Sequence, residues 1–195
     1  MGVDGEARGL FYREVEISDP VPLSEYELKW ITPKVYDRYL NLCERFVQLQ
    51  REVQESGIVD FVQFDPLNLE EEVSKHPSAM YYVVSLMVKA KFLQSLFEHL
   101  LDVIQAKLDA MYRAMAEEGG NKVTEAKVRS MVVGHPLYDD VQVRQLAVGY
   151  LVGRISAVRD ALSSKKEMII TYAVNLRDER EIEVLGMKKG EMAGV

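Results

Sequence analysis

Three histidines, a handful of carboxylates and a group of basic and aromatic residues are the side chains here that could do chemistry. His76, His99 and His135 fall in different segments. A carboxylate-bridged dimetal bundle needs Glu-x-x-His on its helices, and no such tetrapeptide occurs. Glu52 and Glu55 form the Glu-x-x-Glu with which all-α nucleotide pyrophosphohydrolases hold magnesium, but the second acidic pair that chemistry requires is missing, since Glu98 and Asp102 are four apart and far downstream. An isolated Glu-x-x-Glu is ordinary helix surface. No catalytic residue, cofactor or metal ligand is assigned, and the chain is expected not to be an enzyme.

The remaining cluster suits phosphate and bases. Lys107, Tyr112, Arg113, Asn121, Lys122, Lys127 and Arg129 interleave cations with an aromatic ring and an amide. Cationic side chains release counterions from a nucleic-acid backbone, and a tyrosine can stack on an unpaired base. Asp109, Glu117, Glu118 and Glu125 lie in the same stretch and oppose that use. The net charge of −7 is unevenly spread. Residues 1–84 hold 8 Lys and Arg against 16 Asp and Glu, whereas residues 85–177 hold 13 against 10. An acidic front therefore precedes a mildly basic body.

These residues must be positioned by helices. Val141, Val148, Ile155, Leu162, Ile169 and Leu176 recur every seven residues, like the seam of a coiled coil. They are assigned to assembly as an oligomer seam, with packing inside one chain or between chains left open. The companion positions are Arg144, Leu151, Val158, Lys165 and Tyr172. Lys165 reads either as a register device or ligand contact, or as a long side chain snorkelling past a partly exposed seam. Upstream, Val83, Leu86, Ala90, Leu93, Phe97, Leu100 and Ile104 step by three and four, and Leu108, Met111 and Met115 continue the stripe after a stutter.

The boundaries follow from helix starts and stops. Thr32-Pro33 should open a helix that Gly57 ends, with Thr32 capping and Pro33 in the first turn. Tyr36, Tyr39, Leu40, Phe46, Val47 and Val53 give it an apolar side. Residues 57–75 read as a loop or arm in which IVDFVQF forms a short strand, Asp65-Pro66 a turn and Glu70, Glu71 and Glu72 a solvated run. Pro77 is expected to open a helix that lasts to Gly119-Gly120, Thr124 to cap a short helix ending near Val133, and Gly134-His135-Pro136 to bend the chain into a final helix over 137–177. Phe11, Val15 and Ile17 alternate as in a short strand. The expected fold is all-α: a long antiparallel helical hairpin or coiled-coil-like bundle, with an N-terminal helix and a less regular N-terminal arm. Its parts are an acidic arm at 1–31, a helical domain at 32–180 and a flexible tail at 181–195.

One cysteine, Cys43, excludes an internal disulfide, and no run reaches the roughly 18 apolar residues of a membrane span. The start MGVDGEARG has no apolar core for a secretory signal. A cytoplasmic protein without membrane contact is expected.

Three stretches also resemble a known family. Thr32-Pro33-Lys34-Val35-Tyr36-Asp37-Arg38-Tyr39-Leu40 resembles the opening of the UvsY-like phage recombination mediators, with a Thr-Pro start followed by a basic-Tyr-Leu step. Ala106-Lys107-Leu108-Asp109 with Tyr112 is similar to that family's basic helix end before its central loop. Thr124-Glu125, Val128, Asp139-Asp140 and the run from Ala161-Leu162-Ser163-Ser164-Lys165 to Leu176-Arg177 carry the third likeness. The likeness spans about 32–180, with 57–90 resembling an insertion. It implies a ring- or barrel-forming helical homo-oligomer that binds single-stranded DNA and the single-strand-binding protein and helps a recombinase nucleate its filament, in the host cytoplasm if phage-encoded. Of the family's basic DNA-contacting pair, which falls near Gln105 and Lys107, only Lys107 carries over. The competing reading is a helical scaffold or adaptor that uses the hairpin for assembly alone.

Overall fold

The computed structural model describes residues 18–120 and 122–192, with side chains described as far as Glu181. All regular structure among these residues is helical: α1 (Glu25–Trp30), α2 (Pro33–Glu55), single 3-10 turns at Asp60–Val62 and Pro66–Asn68, α3 (Leu69–Glu118), α4 (Glu125–Val133) and α5 (Pro136–Met192). The chain is all-α, as its periodicity requires. The alternation at Phe11, Val15 and Ile17 lies outside the described residues. The described residues fall into two compact units, one formed by residues 18–56 and 86–155, the other by 57–85 and 156–192.

In the first unit α2 begins at Pro33, but Thr32 makes no side-chain capping bond. The fixed φ of proline and its missing N–H set the start instead. Gly57, at φ +58, follows the last turn, a backbone conformation that favours glycine. The buried face is Tyr39, Leu42, Cys43, Phe46, Leu49 and Val53, while Val47 is exposed. Leu86, Ala90, Leu93, Phe97, Leu100, Ile104, Leu108 and Met111 of α3 are buried at steps of three and four, and the stutter at Ile104–Leu108 leaves both residues fully covered. Met115, one step further, is exposed. The α5 segment runs antiparallel to α3: the Tyr112 ring lies 6.3 Å from that of His135, and the Gln94 amide stands 3.7 Å from where a Cβ on Gly149 would be.

One network ties the non-helical start of this unit to its core. Arg144 occupies a seam position and is 1% exposed. Its guanidinium donates to Asp140 Oδ2 at 2.6 Å and Oδ1 at 3.2 Å, and to the Ser18 carbonyl at 2.6 Å. Tyr39 donates to Asp140 Oδ2 at 2.6 Å and accepts from the Val21 N–H at 2.9 Å, and Tyr36 donates to the Val21 carbonyl at 3.0 Å. Burial disfavours the Arg144 charge, but the Asp140 bonds outweigh it and hold the guanidinium more firmly protonated than usual. Burial and the bond to Asp140 raise the Tyr39 phenol, and burial pushes the Cys43 thiol up to about 11. Ile31 is fully buried as well. Residues 18–31 are thus built into the first unit.

The second unit departs further from expectation. IVDFVQF is not a strand: Asp60–Val62 form a 3-10 turn. α3 starts at Leu69, and Pro77 sits inside it rather than opening it. The start is set upstream, where the Asp65 side chain accepts from the Leu67 N–H and three glutamates complement the N-terminal dipole. Pro77 is exposed, so its ring displaces no packed neighbour. The glutamate run is not uniformly solvated: Glu72 Oε2 lies 2.5 Å from Lys165 Nζ. Lys165 is 7% exposed and also donates to the carbonyls of Phe61, at 2.9 Å, and Gln63. All three ammonium donors are used inside the unit, so Lys165 is a buried, fully partnered cation and not a side chain snorkelling to solvent. α5 continues to Met192, beyond the expected end at 177 and through most of the stretch read as a flexible tail. Gly186 and Gly190 weaken this stretch but no proline stops it.

The heptad seam is settled by burial. Val141, Val148 and Ile155 are fully buried in the first unit, Leu162 and Ile169 are buried in the second, and Leu176 is half-buried. The first five pack within one chain, because α3 supplies a facing stripe from the same chain. They are not free to form an oligomer seam. Removing one partner of a buried ion pair leaves an uncompensated charge, so Asp140→Ala is expected to destabilise the chain by about 3–5 kcal/mol in urea titration. Glu71→Ala, which breaks the exposed pair with Lys75, is expected to leave the urea midpoint almost unchanged.

Candidate nucleic-acid interface

The basic cluster lies at the end of α3, the turn after it, and α4, all in the first unit. Gly120, at φ +65, makes the turn, with open space where a Cβ would be. Thr124 caps α4 by accepting from the Lys127 N–H at 3.4 Å, and Val128 and Val132 anchor its inner face. Lys127 and Arg129 flank Val128 and are exposed, as is Lys122. Lys107 is half-buried. Asn121 lies outside the described residues.

Arg113 has a different role from the one its charge suggests. Its Nε donates to Asp109 Oδ2 at 2.6 Å, and Nη2 reaches Asp109 Oδ1 at 3.3 Å and Glu125 Oε2 at 2.7 Å. The hydrogen bonds it donates to Asp109 and then to Glu125 hold its guanidinium well above the ordinary arginine value. Arg113 therefore staples the end of α3 to the start of α4 and occupies two of the four opposing carboxylates. Glu117 and Glu118 remain exposed. Tyr112 is not an open stacking platform either. It is half-buried with its ring edge against His135, and burial raises its phenol, with the Glu27 charge adding to the shift.

His135 is buried and has both ring nitrogens engaged. The Leu137 N–H donates to Nδ1 at 3.2 Å, so Nδ1 is the acceptor and Nε2 carries the proton facing Glu27 Oε1 at 2.8 Å. Burial alone would raise the Glu27 carboxyl, but hydrogen bonds from Ser24 and then His135 outweigh it and hold Glu27 below the usual carboxylate value. The other residues weighed for chemistry stand apart. Glu52 is 2.6 Å from Lys89, while Glu55, Glu98, Asp102 and His99 are exposed. Sequence reasoning missed the Asp140–Arg144–Tyr39 network, for which the i,i+4 spacing of Asp140 and Arg144 was the available signal.

No protein-family model, curated protein or solved structure matches this chain. Among the described residues no helix is long and apolar enough to cross a membrane.

The lowered Glu27 carboxyl has a signed consequence. Its contribution to stability is present above its unfolded value near 4.5 and is lost as pH falls through the lower folded value. Glu27→Gln is expected to flatten the acid limb of stability, read as urea midpoints between about pH 6 and about pH 3. Midpoint curves of unchanged slope would show that the Glu27 contacts do not form in solution.

Proposed function

We propose that the chain is a non-enzymatic, single-stranded-DNA-binding assembly protein of the recombination-mediator kind, acting with a recombinase and a single-strand-binding protein. The observation that carries this reading is the charge left at the end of the first unit after its ion pairs are formed. Arg113 is satisfied by Asp109 and Glu125, while Lys122, Lys127 and Arg129 stay exposed with half-buried Lys107 nearby in sequence. The three exposed cations fall within eight residues, against Glu117 and Glu118. Such a patch is weak alone. Arrayed on an oligomer it gains avidity, because each further contact with the same strand is intramolecular. The resemblance of 32–180 to UvsY-like mediators supports the same reading.

In this mechanism no bond is broken. Lys122, Lys127 and Arg129 contact phosphates, Lys107 adds a fourth cation, and Arg113 offsets one of the two carboxylate charges it bridges. Tyr112 contributes through its packing on His135 rather than by stacking. The acidic front competes with DNA or meets a basic recombinase surface. A scaffold that uses its helices for assembly alone is the second reading, favoured by the exposed apolar side chains Tyr81 and Ile170 in the second unit.

A fluorescent single-stranded oligonucleotide titrated across a salt series separates the two. Wild type is expected to bind with an affinity that falls with salt, and Lys122→Ala, Lys127→Ala and Arg129→Ala combined should weaken binding and make the log–log slope shallower by about 2–3. A folded wild type that does not bind at low salt would sink the mediator reading in favour of the scaffold. Deleting residues 1–17, which spares the segment built into the first unit, should tighten binding if the front competes; unchanged affinity would remove that role.

A further inference from the structure

The second unit leaves a groove that its own two helices cannot fill. One wall is His76, Pro77, Met80, Tyr81 and Val84 of α3, the other Ser163, Lys166, Glu167 and Ile170 of α5, and together they enclose about 740 Å³. Tyr81 is 78% exposed and Ile170 52%. Val73 and Val174, one helical turn beyond each wall, are exposed too. A pair of antiparallel helices has an apolar surface on both sides of its plane, and covering one side takes further helices.

We propose that this groove is a homotypic interface, in which the same hairpin of a second copy packs across a twofold axis to form a four-helix bundle. Two observations select a second copy. The first is charge. Lys166 and Glu167 are adjacent, line the groove and are exposed, and neither side chain forms an ion pair with a described residue. A surface that carries both signs side by side complements itself: under a twofold, Lys166 of one copy meets Glu167 of the other and the reverse contact follows by symmetry. The second is area. Taking 150–250 Å² for an aromatic side chain and less for an aliphatic one, Tyr81, Ile170, Val73 and Val174 with the groove lining offer on the order of 500 Å² of apolar surface. A standard interface covers about 800 Å² per partner, a little over half of it apolar.

The inference goes beyond the DNA-binding reading and does not depend on it. It also differs from the ring implied by the family resemblance, because a twofold contact closes on itself and gives a dimer from this surface. The buried Nδ1 of His76, which has no hydrogen-bond partner among the described residues, lies along the same face. Burial and the nearby charges of Lys165 and Lys166 favour its neutral form, which suits a covered position.

The test is the mass of the full chain in solution without DNA, by sedimentation velocity over a concentration series. Wild type is expected at twice the 22.3 kDa of one chain. Tyr81→Glu and Ile170→Glu, at exposed positions, should each give a folded monomer by circular dichroism. Lys166→Glu alone should weaken dimerisation at least tenfold, and Lys166→Glu with Glu167→Lys should restore it, since the exchange preserves self-complementarity. A wild-type monomer well above micromolar concentration overturns the inference. So does an oligomer whose mass ignores Tyr81→Glu, or a double variant no better than Lys166→Glu. Failure of DNA binding leaves all these readouts untouched and bears only on the mediator reading.

Discussion

Two charged side chains occupy positions in a seam that is otherwise apolar, and the cost of burying them organises the rest of the chain. A cation taken out of water must find partners for its charge and its donors or give up its burial. In the first unit Arg144 meets this demand with Asp140 and the Ser18 carbonyl. In the second unit Lys165 meets it with Glu72 and the carbonyls of Phe61 and Gln63. The two residues are three heptads apart on α5, and each draws a non-helical segment of chain onto its own unit. Irregular backbone carries unpaired carbonyls that need donors, so charged seam and non-helical strap satisfy one another. A seam made of leucine alone would leave both segments without these anchors.

On the surface, ion pairing takes some of the cations but leaves others unpaired. Arg113 is committed to Asp109 and Glu125, Lys89 to Glu52, and Arg159 to Asp160. Exposed pairs such as these add little to stability, but they set which cations are left without a carboxylate partner. What remains after the pairing, around the turn between α3 and α4, is smaller and better defined than the basic cluster in the sequence. The pairing leaves the net charge unchanged, since Arg113 with Asp109 and Glu125 still sums to one negative charge beside the exposed cations.

Apolar surface is divided in a comparable way. Along α3 and α5 in the first unit, steps of three and four place the large side chains in a shared core, and α2 covers it further with Tyr39, Leu42, Phe46 and Leu49. Among its described residues the second unit has no counterpart to α2, only two short 3-10 turns. Phe61 packs edge-on to Tyr82 and Phe64 to Tyr172, which covers part of the helix pair and leaves the Tyr81 and Ile170 walls uncovered.

The fold class, the helix ends at Thr32-Pro33, Gly57, Gly119-Gly120 and Thr124, and the two apolar stripes were determined by the sequence itself, because periodicity and breakers act over one or two helical turns. Where local signals competed, tertiary structure decided. Pro77 is a strong start signal, yet α3 begins eight residues earlier because Asp65 caps the preceding turn and Lys165 holds Glu72. Residues 60–62 have strand composition and no neighbouring strand to pair with among the described residues. Whether the heptad seam serves one chain or several was undetermined by spacing, since an intrachain and an interchain seam use the same residues; burial of Val141, Val148 and Ile155 places it inside the chain. The basic cluster was legible as a composition, but the removal of Arg113 from it was not, because its second partner, Glu125, is twelve residues away across a turn. Helix spacing is a local property that sequence carries, whereas ion pairing and burial depend on which segments fold back onto one another.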